Sequence, residues 1–392
     1  MGNTGVVARG IVTPILTQGD DLINIACDSI MKSARENSFT VNDGDIIGVT
    51  EAVVGIAQGN YASLENIAKD VRAKFGGGTL GIVFPILSRN RFANVLKGIA
   101  AGCDKLYIQL SYPQDEVGNR IVDISLCDEL GVNPYQDHFT ENEFRNVFGM
   151  KTIHHFTGID YIQYYKEIGR NCEIVFSNDP KHILKYTKNV LCCDIHSRMR
   201  TQALLIEGGA ETCLRLDDIL CESVDGSGFS EYGLLGSNKA TETSVKLFPR
   251  DTQSFVEDLQ TQIKSRIGAN VEVMVYGDGC FKDPQGGIWE LADPVVSPAF
   301  TSGLAGTPNE IKIKYVADND YGELSGEALT ASIREAIRNK ESNLVGKDLS
   351  GGTTPRRYHD LVGSLCDLVS GSGDRGTPIV LVQNYFKNYA SE

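Results

Sequence analysis

Apolar and polar residues alternate along the first third of the chain in blocks that predict strands followed by helices. Residues 46–57 are almost wholly apolar, which predicts a buried strand that passes into a helix. Residues 63–75 have the spacing of an amphipathic helix that ends at three glycines. Residues 80–84 and 105–110 predict two further buried strands, with a helix over 89–101 between them. This alternation indicates an α/β framework with a sheet that is at least partly parallel.

The rest of the chain repeats this alternation less regularly. Residues from about 123 to 270 are richer in polar and aromatic side chains, and they predict short strands at 190–195, 203–206 and 212–216 and a helix at 251–267. Beyond them, the pattern predicts strands at 271–276, 311–316 and 377–382 and helices at 327–339 and 357–369. No repeat or low-complexity linker marks a domain boundary.

Composition and charge exclude several classes of protein. The chain has 392 residues, with 37 Lys and Arg against 51 Asp and Glu, for a net charge of −14. A general nucleic-acid binder needs a positive surface, as does a protein held on an anionic membrane, so we expect neither partner. The sequence contains no run of eighteen apolar residues, so no membrane-spanning helix is predicted. The 10 cysteines contain no CxxC pair, which predicts free thiols in a reducing compartment and a cytoplasmic protein.

A glycine-rich segment at residues 371–376 matches the spacing of a dinucleotide-binding loop. Such a loop lies between a strand and the helix that follows it, whereas this segment follows a predicted helix and precedes a strand. The dinucleotide interpretation is therefore rejected. A turn rich in glycine can still offer backbone N–H groups to a phosphate.

Two acidic loops carry the strongest chemical signal. Residues 112–119 follow the predicted strand 105–110, and residues 277–283 follow the strand 271–276. Ligands of α/β proteins lie outside the carboxyl ends of strands, and carboxylates there suit Mg²⁺ or Mn²⁺. The alternative is that both loops are solvent-facing turns with capping aspartates.

Several short blocks stand in a defined order along the chain. They are residues 11–16 with 18–22, residues 43–51, Asp278-Gly279 with 303–306 and Pro308, residues 320–324, and residues 367–371 with 376–382. As an ordered set they resemble the γ-glutamyl ligases of the deazaflavin coenzyme F420. This resemblance covers about half of the chain.

The resemblance implies a ligase that forms an amide. GTP (or ATP) would phosphorylate a small-molecule carboxylate, and the amine of L-glutamate or a similar amino acid would displace the phosphate. It further implies Mg²⁺ or Mn²⁺, with K⁺ as an additional candidate ion, and a homodimer. The implied catalytic carboxylates are Asp115 and Asp278, and the implied metal ligands are Asp115, Glu116, Asp278, Gly279 and Ser372. The implied nucleotide pocket consists of Thr13, Pro14, Ile15, Leu16, Glu51, Asn119, Ser370, Gly371, Ser372, Gly373 and Gly376.

The chain also departs from the family pattern. Asp115 lies four residues before Asn119 where the family has three, so Glu116 is an alternative ligand. Ile56 replaces a lysine that meets the nucleotide in the family. Many more residues separate Asp115 from Asp278 than in the family. We therefore expect a two-lobed α/β (mixed α+β) fold, with core parts at 1–122 and 271–392 and an insertion at 123–270 for substrate binding or dimerisation.

Other functions remain open at this point. The altered residues at positions 56 and 279 would also suit a metal-dependent phosphotransferase or phosphohydrolase on the same scaffold, and a non-catalytic binding protein is a third alternative. Within the insertion, Arg198, Arg200 and Arg215 could bind a substrate carboxylate, and Lys239 could reach a phosphate. Ordinary surface salt bridges are the competing explanation for these four residues.

Overall fold

The computed structural model describes most of the chain: residues 4–149, 151–154, 157–169, 171–277, 297–350, 357–371 and 375–391, and the backbone of 281–282 and 289–290. The strands are β1 Val7–Ile11, β2 Ile46–Thr50, β3 Tyr61–Ser63, β4 Thr79–Val83, β5 Lys105–Leu110, β6 Phe139–Thr140, β7 Cys172–Phe176, β8 Asn189–Cys192, β9 Thr212–Arg215, β10 Asn238–Thr241, β11 Ser244–Lys246, β12 Glu272–Tyr276, β13 Phe281–Lys282, β14 Trp289–Glu290, β15 Ala299–Phe300 and β16 Ile379–Gln383. The helices are α1 Leu22–Glu36, α2 Glu51–Ala57, α3 Leu64–Phe75, α4 Ala93–Ala101, α5 Ile124–Leu130, α6 Glu141–Phe148, α7 Tyr161–Gly169, α8 Arg198–Glu207, α9 Thr252–Ile267, α10 Ile313–Asn319, α11 Gly326–Arg338 and α12 Tyr358–Ser370.

A five-stranded sheet, here called the terminal sheet, joins the two ends of the chain in the order β1-β16-β2-β12-β15. β2 and β12 are parallel, and β16 runs antiparallel to both β1 and β2, so β1, β2 and β12 point the same way. Successive residues of these strands face opposite sides: Ile47 and Val49 pack with α1 and α9, and Ile46 packs with α12. This two-sided burial explains the continuous apolar runs in the sequence.

A six-stranded sheet, here called the central sheet, has the order β6-β7-β5-β4-β8-β9. All neighbouring pairs are parallel except β6 with β7. The chain starts at β4, adds β5 and β7 on one side, and then crosses to add β8 and β9 on the other. This is a doubly wound arrangement, in which helices cover both faces. α3, α4 and α7 supply the larger core on one face, and Leu205 of α8 packs against the other.

Two chain segments connect the sheets. Residues 58–63 lead out of the terminal sheet and residues 244–250 lead back, and β11 pairs with β3 where they pass each other. Gln58 and Arg250 exchange hydrogen bonds across the crossing: Nε2 of Gln58 lies 2.6 Å from the carbonyl oxygen of Arg250, whose N–H donates to Oε1 at 3.0 Å. Both lobes are therefore held together at this crossing.

The α/β fold class is confirmed, and most predicted elements lie where the pattern placed them. The predicted strand and helix over 46–57 are β2 and α2, and Ser63 caps α3 with a reciprocal hydrogen bond to Asn66. The boundary predicted between residues 122 and 123 runs through the central sheet, since β4 and β5 precede it and β7, β8 and β9 follow it.

Two strand predictions are wrong. Residues 203–206 belong to α8, in which Thr201 and Leu205 are buried one turn apart and Ile206 is exposed. A four-residue apolar run cannot by itself distinguish a helix from a strand. The alternating apolar residues at 311–316 predicted a strand, but most of them belong to α10. Val316 is the one residue of this helix that is buried. In the described part of the chain, no helix is long and apolar enough to cross a membrane.

Candidate functional site

One edge of the terminal sheet gathers most of the predicted nucleotide pocket. β1, β2 and β12 all end there, and β16 begins there, so the segments after Ile11, Thr50 and Tyr276 meet the turn before Ile379. The N–H of Thr13 donates to the carbonyl oxygen of Gly376 at 3.4 Å, and the N–H of Thr50 donates to that of Pro378 at 2.9 Å. The predicted residues 13–16, 51 and 376 therefore share one edge.

The end of α12 reaches the same edge. α12 ends at the buried Ser370, and Gly371 caps it with a positive φ of 58° that favours glycine. The side chain of Ser370 hydrogen-bonds with Tyr276, the last residue of β12, while burial raises the pKa of that tyrosine. Ser370 and Gly371 thus lie beside the end of β12. Asp278, Gly279, Ser372 and Gly373 lie outside the described residues.

A buried ion pair stands at the start of α2. Nζ of Lys246 lies 2.7 Å from Oε2 of Glu51, and each side chain is only 11% exposed. Lys246 belongs to β11 on the returning segment, so the pair joins residues far apart in sequence. An adjacent cavity of about 510 Å³ is lined by Ile56, Tyr61, Lys239, Ala240, Thr241, Ser244 and Lys246. Ile56 and the ammonium-bearing Lys246, which come from different elements, thus line the same cavity.

Asp115 lies at the carboxyl edge of the other, central sheet, and its carboxylate is fully occupied. Oδ1 accepts the N–H groups of Val117 at 3.1 Å and Asn119 at 2.8 Å. Oδ2 accepts the N–H of Leu87 and Nδ2 of Asn119, each at 2.8 Å. Four donors take up the acceptor directions of one carboxylate. Burial raises the pKa of Asp115, although these hydrogen bonds act in the opposite direction. The arrangement fits a residue that organises loops better than a metal ligand.

Glu116 is also engaged, by the start of α8. Its carboxylate accepts the N–H groups of Ile195 and, at 3.1 Å, His196, and it lies 3.4 Å from Oγ of Ser197. Burial raises the pKa of Glu116 to about 7, with a further contribution from the charge of Asp194. The sequence analysis did not single out Asp194, which is buried and whose pKa burial also raises. The sequence signal that could have identified Asp194 is its position just after the end of strand β8.

The predicted metal set is therefore only partly described, and its described members do not fit a metal. The oxygens of Asp115 and Glu116 are directed at N–H donors, and no group of three or more His, Cys, Asp or Glu side chains in the described ranges could hold a metal ion. The two acidic loops follow strands of different sheets. Whether Asp278 approaches Asp115 stays a prediction, because Asp278 is not among the described residues.

Two of the three arginines singled out in the insertion, Arg198 and Arg215, form salt bridges, as their competing explanation predicted. Arg215 contacts Asp217 at 2.9 Å and Arg198 contacts the same carboxylate at 3.6 Å. Lys239 pairs with Glu242 on the exposed hairpin between β10 and β11. Sequence reasoning missed the pairing of Lys246 with Glu51, because nothing local in the sequence relates two positions on crossing segments.

Three comparisons place the chain among known proteins. A family model described as F420-0:Gamma-glutamyl ligase matches residues 10–384. No curated protein matches the chain. Among solved structures, the biosynthetic arginine decarboxylase SpeA of Campylobacter jejuni is similar at 12% identity over 94% of this chain and 68% of that chain, with a TM-score of 0.14. At that TM-score the similarity carries no information about fold or function.

Replacing Asp115 separates its structural role from a metal-binding role. In Asp115→Asn an amide NH₂ faces backbone N–H donors, so we expect a loss of about 2–3 kcal/mol in the free energy of unfolding. The measurement is urea denaturation in the presence of EDTA, with the exposed Asp128→Asn as the matched control. A variant that unfolds like the wild type without metal, yet loses metal-dependent nucleotide binding, would contradict the structural role.

The raised pKa of Glu116 predicts a pH-dependent stability. The folded protein holds this proton up to about pH 7, whereas an ordinary glutamate releases it near 4.5. Between those values the folded state binds more protons than the unfolded state, so stability is greatest at low pH and falls as the pH rises, by up to about 3 kcal/mol from this residue.

The test compares unfolding free energies of the wild type and Glu116→Gln across this pH range in EDTA. Asp115 is present in both proteins. Because the charge of Asp194 helps to raise the pKa of Glu116, the difference between the curves reports Glu116 together with its interaction with Asp194. We expect the wild type to lose stability relative to Glu116→Gln as the pH rises. Parallel curves would show that burial does not raise this pKa.

Proposed function

Because the chain belongs to the F420-0:gamma-glutamyl ligase family, we propose that it is a nucleotide-dependent amide ligase. A carboxylate substrate takes the γ-phosphoryl group of GTP or ATP, forming an acyl phosphate and releasing the nucleoside diphosphate. The amine nitrogen of L-glutamate or a similar amino acid then attacks the acyl carbon, and phosphate leaves as the nitrogen loses a proton. Neither step changes an oxidation state, so no oxidant or reductant is needed. Phosphorylation gives the carboxylate the leaving group that it lacks.

The observation that carries this proposal is the gathering of Thr13, Glu51, Ser370 and Gly376 at one edge of the terminal sheet. Nucleotides bind outside the carboxyl ends of strands, where backbone N–H groups and glycine turns can approach phosphates. Ile15 is 95% exposed there, so the first loop offers an uncovered apolar side chain to a purine base or to a second copy of the chain. The homodimer implied by the resemblance stays a prediction.

Lys246 is the cation best placed to bind the nucleotide phosphates. It lines the 510 Å³ cavity beside Ile56 and is held by Glu51 at 2.7 Å. The buried carboxylate holds the ammonium in place, and an ammonium on a restrained side chain loses less entropy when it binds an anion. Glu51 therefore acts as a positioning residue for Lys246.

Dependence on Mg²⁺ or Mn²⁺ belongs to the proposal and rests on Asp278 rather than on Asp115 or Glu116. A bound divalent cation neutralises triphosphate charge. Asp278 follows Gly277 at the end of β12, the strand whose last residue hydrogen-bonds with Ser370. The protein's own contribution is to hold the nucleotide, the carboxylate and the amine in a reactive arrangement.

Calorimetric titration with GTP and with ATP, each with Mg²⁺ or Mn²⁺, tests the proposal. We expect one nucleotide to bind in a metal-dependent manner, and we expect Asp278→Asn to abolish this dependence while melting like the wild type. Amide formation is followed as phosphate release that requires an added amino acid. Binding of neither nucleotide would overturn the proposal, and phosphate release without any amine would favour a phosphohydrolase.

The ion pair itself gives a second test. Lys246→Met removes the ammonium that lies beside the buried carboxylate of Glu51, so we expect a loss of about 3 kcal/mol in stability together with weaker nucleotide binding. In the double variant Glu51→Gln/Lys246→Met stability should recover and nucleotide affinity should not. Lys32→Met, at an exposed position of α1, is the control. Recovery of both properties in the double variant would show that Lys246 does not bind the nucleotide.

A further inference from the structure

The central sheet has its own switch point, which the nucleotide site does not use. The chain leaves β4 toward β5 on one side, and β8 is added later on the other side of β4. The loops after β4 and β8 therefore diverge above the middle of the sheet. In doubly wound sheets this crevice is where ligands bind. Two neighbouring cavities occupy this region.

The first cavity is a small apolar slot of about 40 Å³ between these two loops. Ile86 and Phe92 from the β4 side face Ile195 from the β8 side, and Leu235 covers them. Ser237 also lines the slot. This serine is 4% exposed, and its Oγ has no hydrogen-bond partner. Leaving a buried hydroxyl unpaired costs about 1–3 kcal/mol, and a ligand atom in the slot would offset that cost.

The second cavity is polar, has a volume of about 280 Å³, and shares Ile86 and Arg91 with the slot. Arg89, Asn119 and Tyr161 also line it. Arg89 and Tyr161 line the same cavity; burial raises the pKa of Tyr161, and the charge of Arg89 opposes that rise. Two guanidinium groups beside an apolar slot provide the two parts that a carboxylate on a short chain requires.

The loop that carries both arginines is held in place before any ligand arrives. The phenol of Tyr165 donates to the carbonyl oxygen of Ile86 at 2.6 Å and accepts the N–H of Ser88 at 2.9 Å. Asp115 accepts the N–H of Leu87 between them. The buried acidic residue predicted as a metal ligand thus fixes this wall of the cavity, which lowers the cost of ordering it on binding.

We propose that this pair of cavities binds the carboxylate substrate of the ligase: its carboxylate lies between Arg89 and Arg91, and its short apolar chain enters the slot and ends in a group that hydrogen-bonds with Ser237. Naming this ligand the ligase substrate rests on the proposed function. Binding of the carboxylate itself does not, because the cavities are formed by the central sheet and its loops alone.

Titrations without nucleotide test the site by ligand-observed NMR, with butyrate, 4-hydroxybutyrate and inorganic phosphate as the probes. We expect 4-hydroxybutyrate to bind about fivefold more tightly than butyrate, because it can pair with Ser237. Ser237→Ala should remove that difference and leave butyrate binding unchanged. Phosphate should bind more weakly than either carboxylate. Phosphate binding most tightly would overturn the carboxylate assignment in favour of a phosphate site.

Arginine variants test the anionic end of the site. Arg91→Ala and the exposed Arg89→Ala should each weaken carboxylate binding by roughly tenfold or more, since each removes a charge-assisted hydrogen bond. Arg200→Ala, an exposed arginine on α8, is the matched control and should bind like the wild type. Wild-type affinity in both Arg89→Ala and Arg91→Ala, or no binding of any carboxylate to the wild type, would overturn the proposal.

The same variants separate this inference from the proposed function. Arg89→Ala and Arg91→Ala should bind GTP or ATP as the wild type does, because their side chains line cavities of the central sheet. If carboxylates bind and no nucleotide does, the site stands and the ligase proposal fails. If nucleotide binds and no carboxylate does, the ligase proposal stands and the carboxylate site fails.

Discussion

The two lobes depend on one buried amide, that of Asn60. Its Nδ2 donates to the carbonyl oxygens of Phe229 at 2.9 Å and Phe248 at 2.7 Å. Its Oδ1 accepts the N–H of Phe229 at 3.0 Å and a guanidinium N–H of Arg250 at 2.7 Å. All four hydrogen-bonding positions of the amide are filled, in a residue with no exposed surface. A fully satisfied buried polar group fixes the chain segments that it joins in a single arrangement.

This crossing relates the two sheet edges to each other. Lys246 lies on the segment that returns from the central sheet, only a few residues before Arg250, and it ends in an ion pair with Glu51 of the terminal sheet. The position of the Lys246 ammonium beside the 510 Å³ cavity is therefore determined by contacts at the crossing as well as by Glu51. The segment predicted to be an insertion, residues 123–270, supplies most strands of the central sheet and also carries this lysine.

Local sequence patterns were enough to predict most helices and strands. They failed for segments whose conformation depends on the elements packed against them. β2 is buried on both faces, so its unbroken apolar run was recognisable, and the glycine that ends α3 was visible in the sequence. Residues 203–206 look equally apolar, but their burial on one helical face depends on the sheet behind them. The acidic residues after strands could be located from the sequence, because the pattern of apolar residues shows where each strand ends.

The pairing of those acidic residues could not be predicted in the same way. Asp115 and Glu116 have the composition of a metal site, and only the three-dimensional structure shows that backbone N–H groups take up their oxygens. Lys246 pairs with Glu51, but the hairpin that carries Lys246 is nearly two hundred residues away in the sequence. Such relations depend on the crossing of segments, which no local spacing encodes.

The place of β16 in the terminal sheet has a consequence for how the protein forms during synthesis. β16 is synthesised after the other strands of the terminal sheet, yet it lies between β1 and β2, and β1 pairs with no other strand of the described sheet. The central sheet can assemble from a nascent chain that ends near residue 215, since its contacts are closer in sequence. A truncated translation product would therefore contain a folded central sheet beside an unpaired β1, with an open strand edge of the kind that chaperones protect from aggregation.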